Sequence, residues 1–186
     1  MTNIGRCNFL LILISFLPFC AFAQSKLAPT NLNVIMEQMQ HISISQPSVD
    51  IYVNQLQLFG TGVSSALQIN HIKIGSTTSY QVTVRSLYSF FSRNGRNTSI
   101  PVHAIQLQTS IGDDLTGNNI PASANTFIFP NVPLSVYNSL LITNADPEAG
   151  RGYDVIYKIP PNNMAYFINQ KEGTYTTTLI YTLTAL

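Results

Sequence analysis

Few residues in this chain are able to do chemistry. Three histidines, His41, His71 and His103, fall in stretches that alternate apolar and polar residues, so all three are expected on strands. Histidines sharing one sheet face would suit zinc, which takes imidazole nitrogens in a four-ligand shell. No two of them stand at an H-x-H or H-x3-H spacing, and no matched carboxylate accompanies them. They are expected on the sheet surface or rim rather than around a metal. Asp113-Asp114 and Asp146-Pro147-Glu148 put carboxylates into loop-like sequence. Calcium would want clustered oxygen ligands, but neither stretch has the D-x-D-x-D-G pattern, and acidic loop residues ordinarily cap turns or face water. Glycoside hydrolysis needs two acids across one cleft, and the 8 Asp and Glu are scattered. No G-x-S-x-G frames a serine nucleophile. The expectation is a non-catalytic protein, with no catalytic, cofactor-binding or metal-binding residue assigned.

Cysteine chemistry is removed by the amino-terminal segment. Arg6 precedes a short apolar run from Phe9 to Phe19, and Ala21-Phe22-Ala23 offers small residues at the −3 and −1 positions for cleavage before Gln24. The run is too short for a comfortable span, which takes roughly 20 residues. Residues 1–23 are therefore expected to be a cleaved signal peptide and residues 24–186 a single domain. Cys20 admits a lipoprotein alternative, but Phe19 stands where such a signal wants a small side chain. Cys7 and Cys20 both lie in the removed segment, so the exported chain would have neither a disulfide nor a thiolate zinc site. It is expected in the periplasm, at the cell surface or outside the cell, with no membrane span once cleaved.

Charge is sparse. Only 9% of the 186 residues are charged, against roughly 25% in a typical domain. Loss of Arg6 would take the formal net charge from +1 to zero. A basic groove for nucleic acid and a polybasic membrane patch are excluded on this balance. Polar surface must come from Ser, Thr, Asn and Gln, and weak net charge makes association easy.

The elements that would carry these residues are strands. The last stretch, Gly173 to Thr184, places Tyr175, Thr177, Leu179, Tyr181 and Leu183 on one face and threonines with Ile180 on the other. Upstream, Leu32, Val34 and Met36 alternate in a segment predicted as a strand or irregular, and His41 to Ser45 is a strand stopped by Pro47. Val49 to Phe59 is predicted as a strand bent near Asn54, where the apolar parity changes, and is closed by Gly60-Thr61-Gly62. Ala66 to Ile74 and Tyr80 to Leu87 are predicted to form a hairpin through Gly75–Ser79, with Tyr80, Val82 and Val84 inward. Asn94-Gly95 is a tight-turn signal. Val102 to Thr109 is predicted as a strand with Ile105 and Leu107 on the face of His103. Gly112–Asn125 and Asn144–Gly152 are predicted loops; Thr126–Phe129, Val136–Thr143 and Tyr153–Ile159 are predicted strands, the last ended by Pro160-Pro161. About nine short strands at ten-residue spacing, with no convincing helix, indicate an all-β, antiparallel sandwich of the Ig-like or pilin-like kind.

The tail Glu172-Gly173-Thr174-Tyr175-Thr176-Thr177-Thr178-Leu179-Ile180-Tyr181-Thr182-Leu183 resembles the G-x-Y-x-x-x-(apolar)-x-(aromatic)-x-(apolar) ending of bacterial secreted β-sandwich proteins, the pilin-like, spore-coat-U-like and WxL-like families. Ser79-Tyr80-Gln81-Val82-Thr83-Val84 is similar to their central strand. The tryptophan motif of the WxL proteins is missing, with Tyr181 in the aromatic place. The resemblance implies a structural or adhesive protein of the bacterial envelope, such as a fimbrial subunit, and supplies no catalytic residue. Partners would be other envelope or pilus subunits joined by strand addition, with Asn31–Met36 and the terminal strand as candidate donors, or glycans if the chain is instead a carbohydrate- or peptidoglycan-binding module. Asn97-Thr98-Ser99 matches a glycosylation acceptor, a motif that recurs by chance.

Overall fold

A computed structural model of the chain describes residues 32–54, 58–168 and 170–186; the expected signal peptide, residues 1–23, lies outside them. Met36–Leu186 forms one compact unit. Leu32–Ile35, the described end of the preceding unit, is exposed and has no regular structure. Among the described residues, twelve strands follow in chain order: β1 (Gln40–Ile44), β2 (Val63–Ser64), β3 (Gln68–Ser76), β4 (Tyr80–Ser86), β5 (Phe90–Arg93), β6 (Arg96–Pro101), β7 (Gln106–Asp114), β8 (Thr126–Ile128), β9 (Val132–Pro133), β10 (Ser139–Asn144), β11 (Glu148–Ile159) and β12 (Leu179–Ala185). One sheet runs β1-β3-β11-β7-β9, with β2 also on β11; the second runs β12-β4-β10-β8; β5 and β6 form a separate hairpin. All pairings are antiparallel, and the two larger sheets stack as a sandwich, so the all-β expectation holds.

The layers meet through the apolar faces that period two picks out. Tyr80, Val82 and Val84 of β4 are fully buried, as are Ile72 of β3, Leu107 of β7 and Val155 of β11. Each such aliphatic side chain contributes roughly 1.5–3 kcal/mol by leaving water. Leu179, Tyr181 and Leu183 of β12 pack on the same core. The inward face expected of the terminal strand is therefore correct, and that strand pairs with β4 of its own sheet.

Several expectations are corrected. β3 and β4 do not form a hairpin: β3 already has β1 and β11 on its two sides, so the chain crosses to the other sheet. Ser76 Oγ donates to Thr78 O at 2.8 Å and Thr77 N to Met39 O at 3.0 Å, which fixes the crossing. The strand expected over Val49–Phe59 is not formed in the described part of that range. Val49–Asn54 has no regular structure, and a single helical turn, α1 (Leu58–Thr61), follows. His103 stands in a 310 turn, Val102–Ala104, not on a strand; it is exposed while Ile105 and Leu107 are buried, so they do not share its face. β11 begins at Glu148 and β7 runs on to Asp114, both inside predicted loops, and β9 and β2 were not expected. Asn94-Gly95 does turn between β5 and β6, with φ of +50° and +73°.

An irregularity in β3 decides where His71 points. The pairing of this strand with β11 jumps from Ile72↔Tyr153 to Gln68↔Val155, a bulge centred on Asn70, whose φ is +48°. Four residues of β3 therefore stand opposite two of β11, and within this irregular stretch strict alternation is suspended. His71 and Ile72 consequently both end up buried, at 1% and 0% exposure.

Candidate binding groove

A groove of about 970 Å³ opens between the two sheets where β1 ends and β12 begins. Its floor is core: Phe91, Ile105, Leu134, Tyr157, Ile159 and Phe167. Its walls include two segments outside the sheets, 46–54 and 170–178. Both have strand-like sequence. In the first, Val49 and Ile51 turn toward the core while Asp50, Tyr52 and Val53 are exposed. In the second, Tyr175 and Thr177 are half-buried and Thr174, Thr176 and Thr178 exposed. Neither joins a ladder. Among the described residues, 47–54 make no backbone–backbone hydrogen bond, and 174–178 make them only at Thr176, to Ser92, and at Thr178, to Leu87. Unpaired backbone donors and acceptors on an extended segment are a template for another strand.

A hydrogen-bonded chain crosses the floor of the groove. Gln46, two residues past β1, places Oε1 2.9 Å from His71 Nδ1; His71 Nε2 is 2.8 Å from the Tyr157 hydroxyl, which lies 2.6 Å from the Tyr181 hydroxyl. With the Gln46 carbonyl accepting from Nδ1–H, Nε2 must accept from Tyr157 O–H, and Tyr157 in turn accepts from Tyr181. The ring of His71 meets Tyr157 and Tyr181 edge-on. Burial lowers the His71 pKa below its ordinary value, so the neutral imidazole that this geometry needs is the favoured form. Burial pushes Tyr157 up to about 12, and burial with Tyr157 alongside pushes Tyr181 well above the ordinary tyrosine value. None of these groups is an activated nucleophile or base. What they do is tie β3, β11 and β12 to the start of the 46–54 wall.

The other residues singled out in the sequence are dispersed. His41 is exposed on β1, and exposed His103 lies 3.3 Å from the Tyr166 hydroxyl. The rim expectation holds for these two and fails for His71, because the Asn70 bulge turns it inward. No three His, Cys, Asp or Glu side chains converge on a possible metal position among the described residues. Asp113 accepts from Asn70 Nδ2 at 2.8 Å. Partial burial alone would raise the Asp114 pKa, but the backbone N–H groups of Ile120, Thr116 and Asn118 and the Thr116 hydroxyl outweigh it and hold the carboxyl low. Asp146 is held low by Ser123 and Asn125. Asp114 caps a turn in the expected way, whereas Asp146 ties its loop to the side chains of Ser123 and Asn125.

Glu148 is different, being a buried charge. Arg151 Nε donates to its Oε1 at 2.8 Å, and the hydroxyls of Tyr80 and Tyr153 and the amide of Asn144 donate to Oε2. Arg151 Nη2 continues to the Ile120 carbonyl at 2.8 Å, tying the 115–125 loop to the end of the sandwich. The sequence placed Tyr80 inward, Tyr153 on a strand and Glu148 in a loop; a buried pair at i and i+3 of a strand end carried no local signal. The same is true of the Gln46–His71–Tyr157–Tyr181 chain, for which alternation marks only the two tyrosines as inward. No family model matches the chain, and no curated protein is similar to it in sequence.

Proposed function

We propose that the protein is an exported, non-catalytic structural subunit of a cell-envelope or surface assembly, in which the amino-terminal segment of one copy adds as a strand in the groove of the next. The observation that carries this is the pair of ladderless, strand-patterned walls flanking an apolar floor. The donor is suggested by Leu32, Val34 and Met36, which alternate with Asn33, Ile35 and Glu37 and are 84%, 78% and 88% exposed. An extended segment with alternate apolar side chains gains main-chain hydrogen bonds from the walls and seats those side chains on the floor. The terminal strand, the other candidate donor, is engaged by its own β4. Export rests on the amino-terminal sequence.

The test is the mass of the purified protein in solution, by light scattering behind a sizing column. Species larger than a monomer are expected. They should be lost on deleting residues 24–37, which leaves the Met39–Thr77 hydrogen bonds intact, and equally on Val34→Asp with Met36→Asp. A monomer indifferent to both changes, or an assembly that survives them, overturns the proposal.

A further inference from the structure

Beside the groove, on the β5–β6 hairpin, lies a second depression of about 610 Å³, lined by Arg93, Arg96, Lys171, the Tyr175 ring and the polar run Asn97-Thr98-Ser99 with Gln170. Three cations meet here in a chain that has only 9 Lys and Arg in 186 residues. Arg93 and Arg96 are direct cross-strand partners on either side of the Asn94-Gly95 turn. Like charges placed opposite each other on a hairpin repel. No acidic partner among the described residues offsets this. The only salt bridge among them is Arg151–Glu148, and Glu172, although next to Lys171, makes none. Arg93 is further constrained. Its guanidinium lies over the Tyr175 ring, Cζ 5.9 Å from the centroid, and its Nε is out of contact with solvent without a hydrogen-bond partner. A side-chain methyl on Gly173 would fall 2.7 Å from that nitrogen, so only glycine lets the arginine lie down there.

We infer that this depression binds an acidic polysaccharide through its carboxylate or phosphate groups. A fork of guanidinium donors recognises such oxyanions in two-point fashion, and an anion between Arg93 and Arg96 turns their repulsion into a clamp. The depression is far larger than a lone inorganic anion requires. The amides and hydroxyls of Asn97, Thr98, Ser99 and Gln170 match sugar hydroxyls rather than further charge, and Tyr175 supplies an aromatic edge. Nucleic acid is disfavoured because the lining of the depression supplies only these three cations. Gln170, Lys171 and Tyr175 also border the groove, so the two depressions share that wall.

Calorimetric titration of the purified protein separates the sources of the anion. The probes are oligogalacturonide for carboxylate, poly(glycerol phosphate) for phosphate, dextran as the neutral sugar polymer and single-stranded DNA as a polyanion without the sugar hydroxyl pattern. At least one of the first two should bind, more weakly as salt is raised, and dextran should not. Arg93→Gln with Arg96→Gln should weaken that binding about tenfold or more. Lys171→Gln should weaken it by less, and reads the same charge if the double variant fails to fold. Binding of neither anionic polymer, equal binding by dextran or DNA, or affinity unchanged in both variants would overturn the inference.

Discussion

His71 shows how one side chain's environment sets a measurable property of the whole. Its imidazole is buried between Gln46 and Tyr157, and its pKa is lowered by that burial. Unfolding returns it to water and to its ordinary value of 6.5. Below that pH the unfolded chain binds a proton that the folded chain resists, so stability is fully present above about pH 6.5 and is lost as pH falls, until the lower folded value is reached. The slope cannot exceed about 1.4 kcal/mol per pH unit for one group. Denaturant midpoints of the protein should therefore drop between about pH 7 and 5, and His71→Asn should flatten this part of the profile. A profile of unchanged slope in the variant would show that another group governs it. Nothing local in Ile69-Asn70-His71-Ile72 marks the histidine as inward. By strict alternation it shares a face with Ile69, which is 59% exposed, and only the bulge separates them.

That bulge is made by three positions far apart in sequence. Asn70, at φ +48°, pushes its side chain over β7 and β11, where its Oδ1 accepts from Asp113 N at 2.9 Å and its own N–H donates to Asp154 at 2.7 Å. Room for the amide exists because Gly112 and Gly152 lie beneath it. A Cβ on Gly152 would fall 1.9 Å from Asn70 Oδ1, and one on Gly112 2.5 Å from it. Gly152→Ala should accordingly destabilise the fold by about 2–3 kcal/mol, as overpacking of a fixed site does. Asn70→Gly, which keeps the positive φ accessible, should make the same alanine markedly less harmful. Additive effects of the two changes, read from chemical denaturation, would mean that the clash is relieved some other way. At this scale the sequence was informative where one strand's own pattern decides the outcome: His41–Ser45, the inward Tyr80, Val82 and Val84, the Asn94-Gly95 turn and the inward face of β12. It was silent where the outcome depends on which strand lies alongside. Gly75–Ser79 has hairpin composition, yet both sides of β3 are taken, and Val49–Ile51 has strand composition yet no neighbour within reach of its backbone.

At the scale of the molecule, those unsatisfied backbones are the same ones that border the groove. The groove lies beyond the end of β1 and before the start of β12, so the segments that border it have little ladder support. Extended segments without ladder bonds open at little cost, so their amides exchange with solvent faster than those of paired strands. In the monomeric Val34→Asp, Met36→Asp variant, amides 48–54 and 174–175 should exchange nearly as fast as in an unfolded peptide, while β3, β4 and β11 stay protected. Strand addition changes only the first set: in the assembled protein the wall amides should slow by about a hundredfold or more, as new main-chain bonds form. Hydrogen exchange read by mass spectrometry on both species makes the comparison. Walls that remain fast in the assembled form would place the contact between copies elsewhere, and walls already slow in the monomer would mean that the seam is closed by the chain itself.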